Sequence, residues 1–136
     1  MGTRVVITGT GIPAPLDPRR AGPGVLVCAE GLALQFDAGR ATTLRIASLG
    51  MACTDLTAVF LTHHHSDHLI GLDDIVMTRW FDDPGPGGTL PIICPQGPCV
   101  RFCQRMLDPW ERRPGGAAGQ RAPAFTPDRR DRRLHA

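Results

Sequence analysis

"LTHHHSDHLIG", Leu61 to Gly71, places four of the chain's five histidines and an aspartate within six residues. It continues "LTAVFLT" (Leu56–Thr62), a nearly all-apolar run that reads as a strand buried on both faces. "LDDIVMTRWF" (Leu72–Phe81) follows and reads as a helix, with Asp73 and Asp74 favourable at its positive N-terminal end. The histidines therefore lie in a loop between strand and helix, where α/β proteins tend to carry function. His63 and His65 are two apart, so an extended chain projects them from one side. Asp67 and His68 come next, as the backbone turns into the loop. Neutral imidazoles and a carboxylate suit zinc or a related divalent ion. One ion can be gripped by the His63/His65 pair and a second met by Asp67 and His68. Two such ions about 3.5–4 Å apart would hold a hydroxide and polarise the bond it attacks. His64 points the other way and is not counted as a ligand. A lone histidine beside a strand is usually a hydrogen-bonded surface or core residue, and a triple run can be a compositional accident. The pattern His-x-His-x-Asp-His between a buried strand and a helix favours the metal site.

Working outward, "RVVIT" (Arg4–Thr8) reads as a strand stopped by "GTGIPAP", and the proline- and glycine-rich stretch to Gly24 is too broken for a regular element. Val25–Ala29 and Leu32–Phe36 are two strands joined by Glu30-Gly31, a pair suited to a tight hairpin turn. A helix over Ala41–Leu49 is closed by Gly50. "LPIIC" (Leu90–Cys94) is a further strand, and "GPCVRFCQRML" (Gly97–Leu107) a helix with Val100, Cys103 and Leu107 along one face. The alternation predicts a layered α/β domain over residues 1–111 with helices packed on a sheet. From Arg112 the chain loses apolar periodicity, and Arg, Pro, Gly and Ala fill 18 of its last 25 positions. Residues 112–136 are expected to be a disordered tail.

The length of 136 residues suits one domain or part of a larger one, and 42% apolar residues is ordinary for a globular chain. No apolar run approaches the roughly 20 residues that span a bilayer, and the N-terminus lacks a signal peptide's apolar region, so no membrane partner and a cytoplasmic location are expected. Residues 1–111 carry 8 Arg against 11 acidic residues, net −3, while residues 112–136 carry 7 Arg against 2 Asp, net +5. A basic tail is at most a weak hint of RNA contact. The five cysteines are odd in number and lack paired CxxC spacing, so they read as reduced, buried small hydrophobes. A metal held by Cys94, Cys99 and Cys103 is the alternative for three of them, though spacings of five and four fit no common zinc knuckle.

"THHHSDH" resembles the signature of the metallo-β-lactamase superfamily of metal-dependent hydrolases. "FDAG" (Phe36–Gly39) is similar to that superfamily's second motif, and "TGTGIPAP" (Thr8–Pro15) with "DHLIGLDDIV" resembles its ribonuclease Z branch and the phosphodiesterase and arylsulfatase relatives. The likeness covers about residues 4–110. It implies the N-terminal half of an αββα sandwich. It also implies that His63 and His65 bind a first zinc, and Asp67 and His68 a second, with Asp67 taking part in proton transfer with the attacking water. Asp37 would stand behind the ligands and orient them, its alternative being an ordinary turn aspartate before Gly39. Gly9, Thr10 and Gly11 would let backbone amides approach the metal loop or an anion, against the reading of a plain tight turn.

The resemblance implies a phosphodiesterase acting on the 3′ end of precursor transfer RNA. The alternatives are hydrolysis of a small ester (aryl sulfate, cyclic nucleotide, lactone or thioester) and a non-catalytic remnant. RNA binding through the Arg-rich tail alone is a third possibility. The family's site is completed far downstream by two histidines and a bridging aspartate, and after His68 this chain has only His135. A truncated or frameshifted product from about Arg112 is the favoured expectation, a genuine short protein the other. Two ligands per ion would hold each ion weakly, because zinc normally has at least three, so one ion or none is expected beside the family's two. One ion held by His63, His65 and either His68 or Asp67 is conceivable, with poor turnover. A half-sandwich also leaves one sheet face uncovered, which predicts a homodimer or aggregation through that face.

Overall fold

A computed structural model of the chain describes residues 2–82 and 89–110. Its strands are β1 (Arg4–Gly9), β2 (Gly24–Ala29), β3 (Leu32–Phe36), β4 (Ala58–Phe60) and β5 (Ile92–Ile93). The helices are α1 (Thr42–Ser48), α2 (Ser66–Leu69), α3 (Leu72–Asp82) and α4 (Pro98–Arg105). The expectations for residues 112–136 lie outside the described residues.

The five strands form one sheet in the order β1-β2-β3-β4-β5. β1, β2 and β3 form an antiparallel meander, and β3, β4 and β5 run parallel. The change follows from the connections, since two residues suffice for a hairpin whereas parallel neighbours need a crossover such as a helix. At the β2–β3 turn both Glu30 (φ 51) and Gly31 (φ 83) take the left-handed conformation. Such a turn matches the strands' own twist, as the Glu-Gly pair predicted. α1 ends as Gly50 predicted: Gly50 (φ 73) donates to Ala47 O and Met51 to Ile46 O, closing the helix with the paired bonds of a left-handed glycine cap.

Alternation along the strands sorts the side chains into two faces. One face presents Leu26, Ala33 and Val59 to Ile46 of α1, Leu72 and Ile75 of α3, and Cys103 of α4 in a single buried cluster. The other presents Val5, Ile7, Val27, Leu34, Phe36 and Phe60, none of which belongs to that cluster. Val5 and Ile7 are 63% and 66% exposed. Val27, Leu34, Phe36 and Phe60 are half-buried, so among the described residues the exposure expected of this face is marked only at Val5 and Ile7, and Phe36 and Phe60 stack with ring centroids 4.9 Å apart.

Three local expectations change. The β4 ladder spans only Ala58–Phe60, because Leu56 and Thr57 leave a 3₁₀ turn (Cys53–Asp55) while Leu61 follows with a single bond to Ile93 O. On α4 the inward residues are Cys99 and Cys103, continued past its end by Met106 and Leu107, while Val100 is half-buried, so the buried stripe is rotated toward Cys99. Asp67 and His68 lie in the one-turn helix α2, where a loop was expected. His68 N–H donates to His65 O, and Ile70 N–H to Ser66 O.

Candidate metal centre

The C-terminal ends of β3 and β4 lie side by side, and the histidine segment grows from that edge. Asp37 N–H donates to Phe60 O, extending the β3–β4 pairing by one residue. Ala38 then ties this corner to α2, its N–H donating to His68 O and its O accepting the Gly71 N–H, both at 2.8 Å. Gly39 completes the seam. A Cβ there would lie 2.4 Å from Gly22 C, 2.6 Å from Pro23 N and 2.8 Å from Asp67 O, all backbone atoms, so only glycine fits.

Within this frame the carboxylate of Asp37, whose side chain is 11% exposed, is the hub. Its Oδ1 accepts the Thr62 N–H at 2.8 Å, both oxygens accept the Thr62 hydroxyl (3.0 and 2.8 Å), and Oδ2 faces His68 Nδ1 at 2.8 Å. The Thr62 hydroxyl also meets His63 Nδ1 at 2.9 Å. It has one proton, and a carboxylate can only accept, so that proton goes to Asp37 and Thr62 accepts from His63 Nδ1–H. By the same logic His68 Nδ1 carries a proton toward Asp37. With Nδ1 engaged in both rings, Nε2 is the nitrogen left outside the network, and in a neutral ring it carries the lone pair, the arrangement that metal-binding histidines adopt.

His63 packs at 4.5 Å centroid separation against His65 and at 4.1 Å against His68, so the three rings form one cluster. His68 Nε2 lies 3.6 Å from Asp67 Oδ2. With Nε2 unprotonated, that spacing matches two donors sharing an ion about 2.1 Å from each. His64 is exposed, its ring 5.6 Å from that of His65. Among the described residues no three His, Cys, Asp or Glu side chains close on one point able to hold an ion. In chemistry the imidazoles and the Asp67 carboxylate suit a divalent ion, but among the described residues they do not make a complete cage.

A family model described as "Anti-Pycsar protein Apyc1" matches residues 4–96. The chain is 49% identical over 96 residues to ribonuclease Z of Mycobacterium sp. (strain KMS), covering 68% of this chain and 32% of that protein. It is 45% identical over 94 residues to ribonuclease Z of Mycolicibacterium gilvum (strain PYR-GCK), with the same coverage. The structure matches the short form of human tRNase Z with a TM-score of 0.68 at 27% identity, over 78% of this chain and 40% of that one. The chain belongs to the matched family and to the ribonuclease Z-like branch of the metallo-β-lactamase superfamily. It spans about a third of the length of the curated ribonuclease Z relatives it matches. The metallo-β-lactamase fold recurs in a Bacillus subtilis protein of that fold, with a TM-score of 0.65 at 24% identity, covering 74% of this chain and 41% of that one.

In this ribonuclease Z-like chain the glycine loop has a structural task. The Gly11 N–H donates to Ala21 O at 2.7 Å, and a Cβ on Gly9 would lie 1.9 Å from Gly22 O. These contacts pack backbone on backbone and leave the Gly11 amide committed, so it offers nothing to an anion. Thr62 was not singled out from the sequence as a functional residue. Its position beside His63 was the available signal, since a hydroxyl there can bridge a ring nitrogen and a carboxylate. The cysteines follow their burial. Cys103, hydrogen-bonded to Cys94, is pushed up to about 12, and Cys53 to about 11, in both cases chiefly by burial. Burial also raises Cys99. None of the five cysteines is in a disulfide. No helix among the described residues is long and apolar enough to cross a membrane.

Proposed function

We propose that this chain is part of a metal-dependent phosphodiesterase of the ribonuclease Z kind, cutting precursor transfer RNA at its 3′ end in the cytoplasm. The observation that supports the reading is the tautomer-setting network: Asp37 and Thr62 occupy Nδ1 of His68 and His63 and leave both Nε2 atoms as donors. His63 and His65 would hold one zinc ion, and Asp67 and His68 a second. A bound zinc ion supplies Lewis acidity and a water that ionises near neutral pH. The chain's own residues do the rest. With Oδ2 beside His68 Nε2 and turned toward the ion, the other carboxylate oxygen of Asp67 would be placed to accept a proton from the attacking water. Asp37 keeps His68 facing Asp67, and Thr62 keeps His63 in register with it. Two donors per ion make weak holding, which supports a second reading of a remnant that binds one ion or none. The exposed apolar side chains of Val5 and Ile7 make a homodimer part of the proposal.

Zinc stoichiometry and turnover test this together. Near two zinc per chain, with hydrolysis of bis(p-nitrophenyl) phosphate abolished by His65→Ala, supports the enzyme. One zinc or fewer with no turnover overturns it in favour of the remnant. Cleavage of a precursor transfer RNA at its 3′ end, against a small-ester panel, decides the substrate.

A further inference from the structure

Gln35 is a wholly buried amide on the helix-covered face of β3, with no part in the chemistry described so far. Its Nε2 donates to Thr8 Oγ1 (3.1 Å), Phe36 O (3.2 Å) and Asp37 O (2.8 Å). Its Oε1 is buried with no hydrogen-bond partner among the described residues. A buried acceptor left unpaired is unfavourable, and an apolar side chain of the same length would avoid it. Turning the amide over is no remedy, because Oε1 would then face the carbonyls of Phe36 and Asp37. The amide therefore sits where its donor is needed, and the need is local. Asp37 has φ 55, in the left-handed region where a residue with a side chain stays only if its surroundings hold it. Its carbonyl has turned inward from the sheet ladder, and Gln35 supplies the donor. Gly24 independently marks the same spot: a Cβ there would lie 2.9 Å from Gln35 Nε2 and 2.5 Å from Thr8 Oγ1. The strand has no side chain where the amide must fit.

We infer that Gln35 is a positioning residue that clamps the Asp37 carbonyl, and so aims the Asp37 carboxylate at Thr62 and His68. The chain of contacts runs from Gln35 Nε2 to Asp37 O, through the left-handed Cα, to Asp37 Oδ2 and His68 Nδ1. The clamp rests on the reading of His63, Asp67 and His68 as ion-holding donors only for its effect on metal, since its effect on the His68 ring exists without an ion.

The test uses long-range ¹H–¹⁵N spectra of the histidine rings, zinc-ion affinity by competition with a chromophoric chelator, and thermal unfolding. In Gln35→Met the Nδ1–H form of His68 should lose its dominance and zinc affinity should fall about tenfold. Ile46→Ala, a cavity elsewhere in the core, should lower Tm while leaving the His68 tautomer as in the parent. In an Asp37→Asn background, Gln35→Met should change zinc affinity no further, because the clamp acts through Asp37. Should Gln35→Met fail to fold, Thr8→Val, which frees one side of the amide, should shift the tautomer in the same direction by a smaller amount. A His68 tautomer unchanged in these variants, or changed no more than in Ile46→Ala, overturns the clamp. A parent chain that binds no zinc defeats the ligand reading, and the tautomer comparison still decides the role of Gln35.

Discussion

Asp37→Asn should separate the metal-site network from the fold around it. Oδ1 of Asp37 accepts a backbone N–H from Thr62, and an amide nitrogen cannot replace that acceptor. The new NH₂ group must therefore take the Oδ2 position, facing the Thr62 hydroxyl and His68 Nδ1. His68 Nδ1 can meet an NH₂ only as an acceptor, so its proton moves to Nε2, where it points toward Asp67 Oδ2 at 3.6 Å. Binding an ion at Nε2 then requires the ring to reverse that tautomer and lose a hydrogen bond. A hydrogen bond to a charged group is worth about 1.5–3 kcal/mol, so zinc affinity should fall roughly ten- to a hundredfold. That range agrees with the usual effect of replacing a residue that orients a metal-binding histidine. Chelator competition reads the affinity and ring ¹⁵N shifts read the tautomer. An Asn variant that binds zinc within about threefold of the parent, with Nδ1–H retained on His68, would refute the assignment of Asp37 as the orienting residue.

Gly39→Ala should disrupt the corner, since its Cβ meets only backbone of Gly22, Pro23 and Asp67; a Tm drop with loss of zinc binding is expected, and a parent-like Tm would contradict the packing. Alkylation at neutral pH should label Cys28 and Cys94, both half-buried, before Cys53, Cys99 and Cys103, as read by mass spectrometry of peptides after timed quenching. Stability should fall as pH rises from about 9, because unfolded Cys53 and Cys103 ionise there while the folded thiols hold their protons to about 11 and about 12; alkaline denaturant titrations read the loss, and a flat profile speaks against their burial. Ile7→Lys, on the bare face at 66% exposure, should cost little stability and should reduce self-association in sedimentation velocity; unchanged sedimentation would remove that face as the contact.

Much of this was legible in local chemistry. The β2–β3 hairpin followed from Glu30-Gly31, and the end of α1 from Gly50, because each is decided within a few residues by backbone conformation. The strand-to-histidine junction was legible because an apolar run ending in donors admits few arrangements. What stayed hidden depends on distant neighbours. Asp37 could be read as a turn aspartate because its partners, Thr62 and His68, are 25 and 31 residues away. Nothing in the sequence singles out Gln35, since its contact with Thr8, 27 residues off, is what reveals a buried amide. α2 escaped notice because one helical turn has no periodicity to read, and it is tied in place by the distant Ala38, whose N–H donates to His68 O. The α4 stripe was placed one position off because Cys99 is small and apolar enough to be inward, which an eight-residue helix cannot disclose by pattern alone.

The bare sheet face and the paired donors are aspects of one geometry. Phe36 and Phe60 stack at the edge of the open face, and each is the last residue of its strand. The next residue after Phe36 is Asp37, and three residues after Phe60 comes His63. A layer that covered the stacked rings would therefore arrive at the donors' own end of the sheet. Burying that face is favoured by roughly 25 cal/mol for each Å² of apolar surface removed from water, so the driving force for cover lies beside the place where further ligands are needed. Cover and metal affinity should then be thermodynamically coupled: whatever binds the face and orders the donors must, by linkage, bind more tightly when zinc is present. Zinc affinity that rises with protein concentration in the parent, and loses that dependence in Ile7→Lys, is what this coupling requires, although Ile7 lies on β1, two strands from Asp37 and three from the histidine segment. Zinc affinity independent of association would mean that the donor pairs are as complete alone as they are under cover.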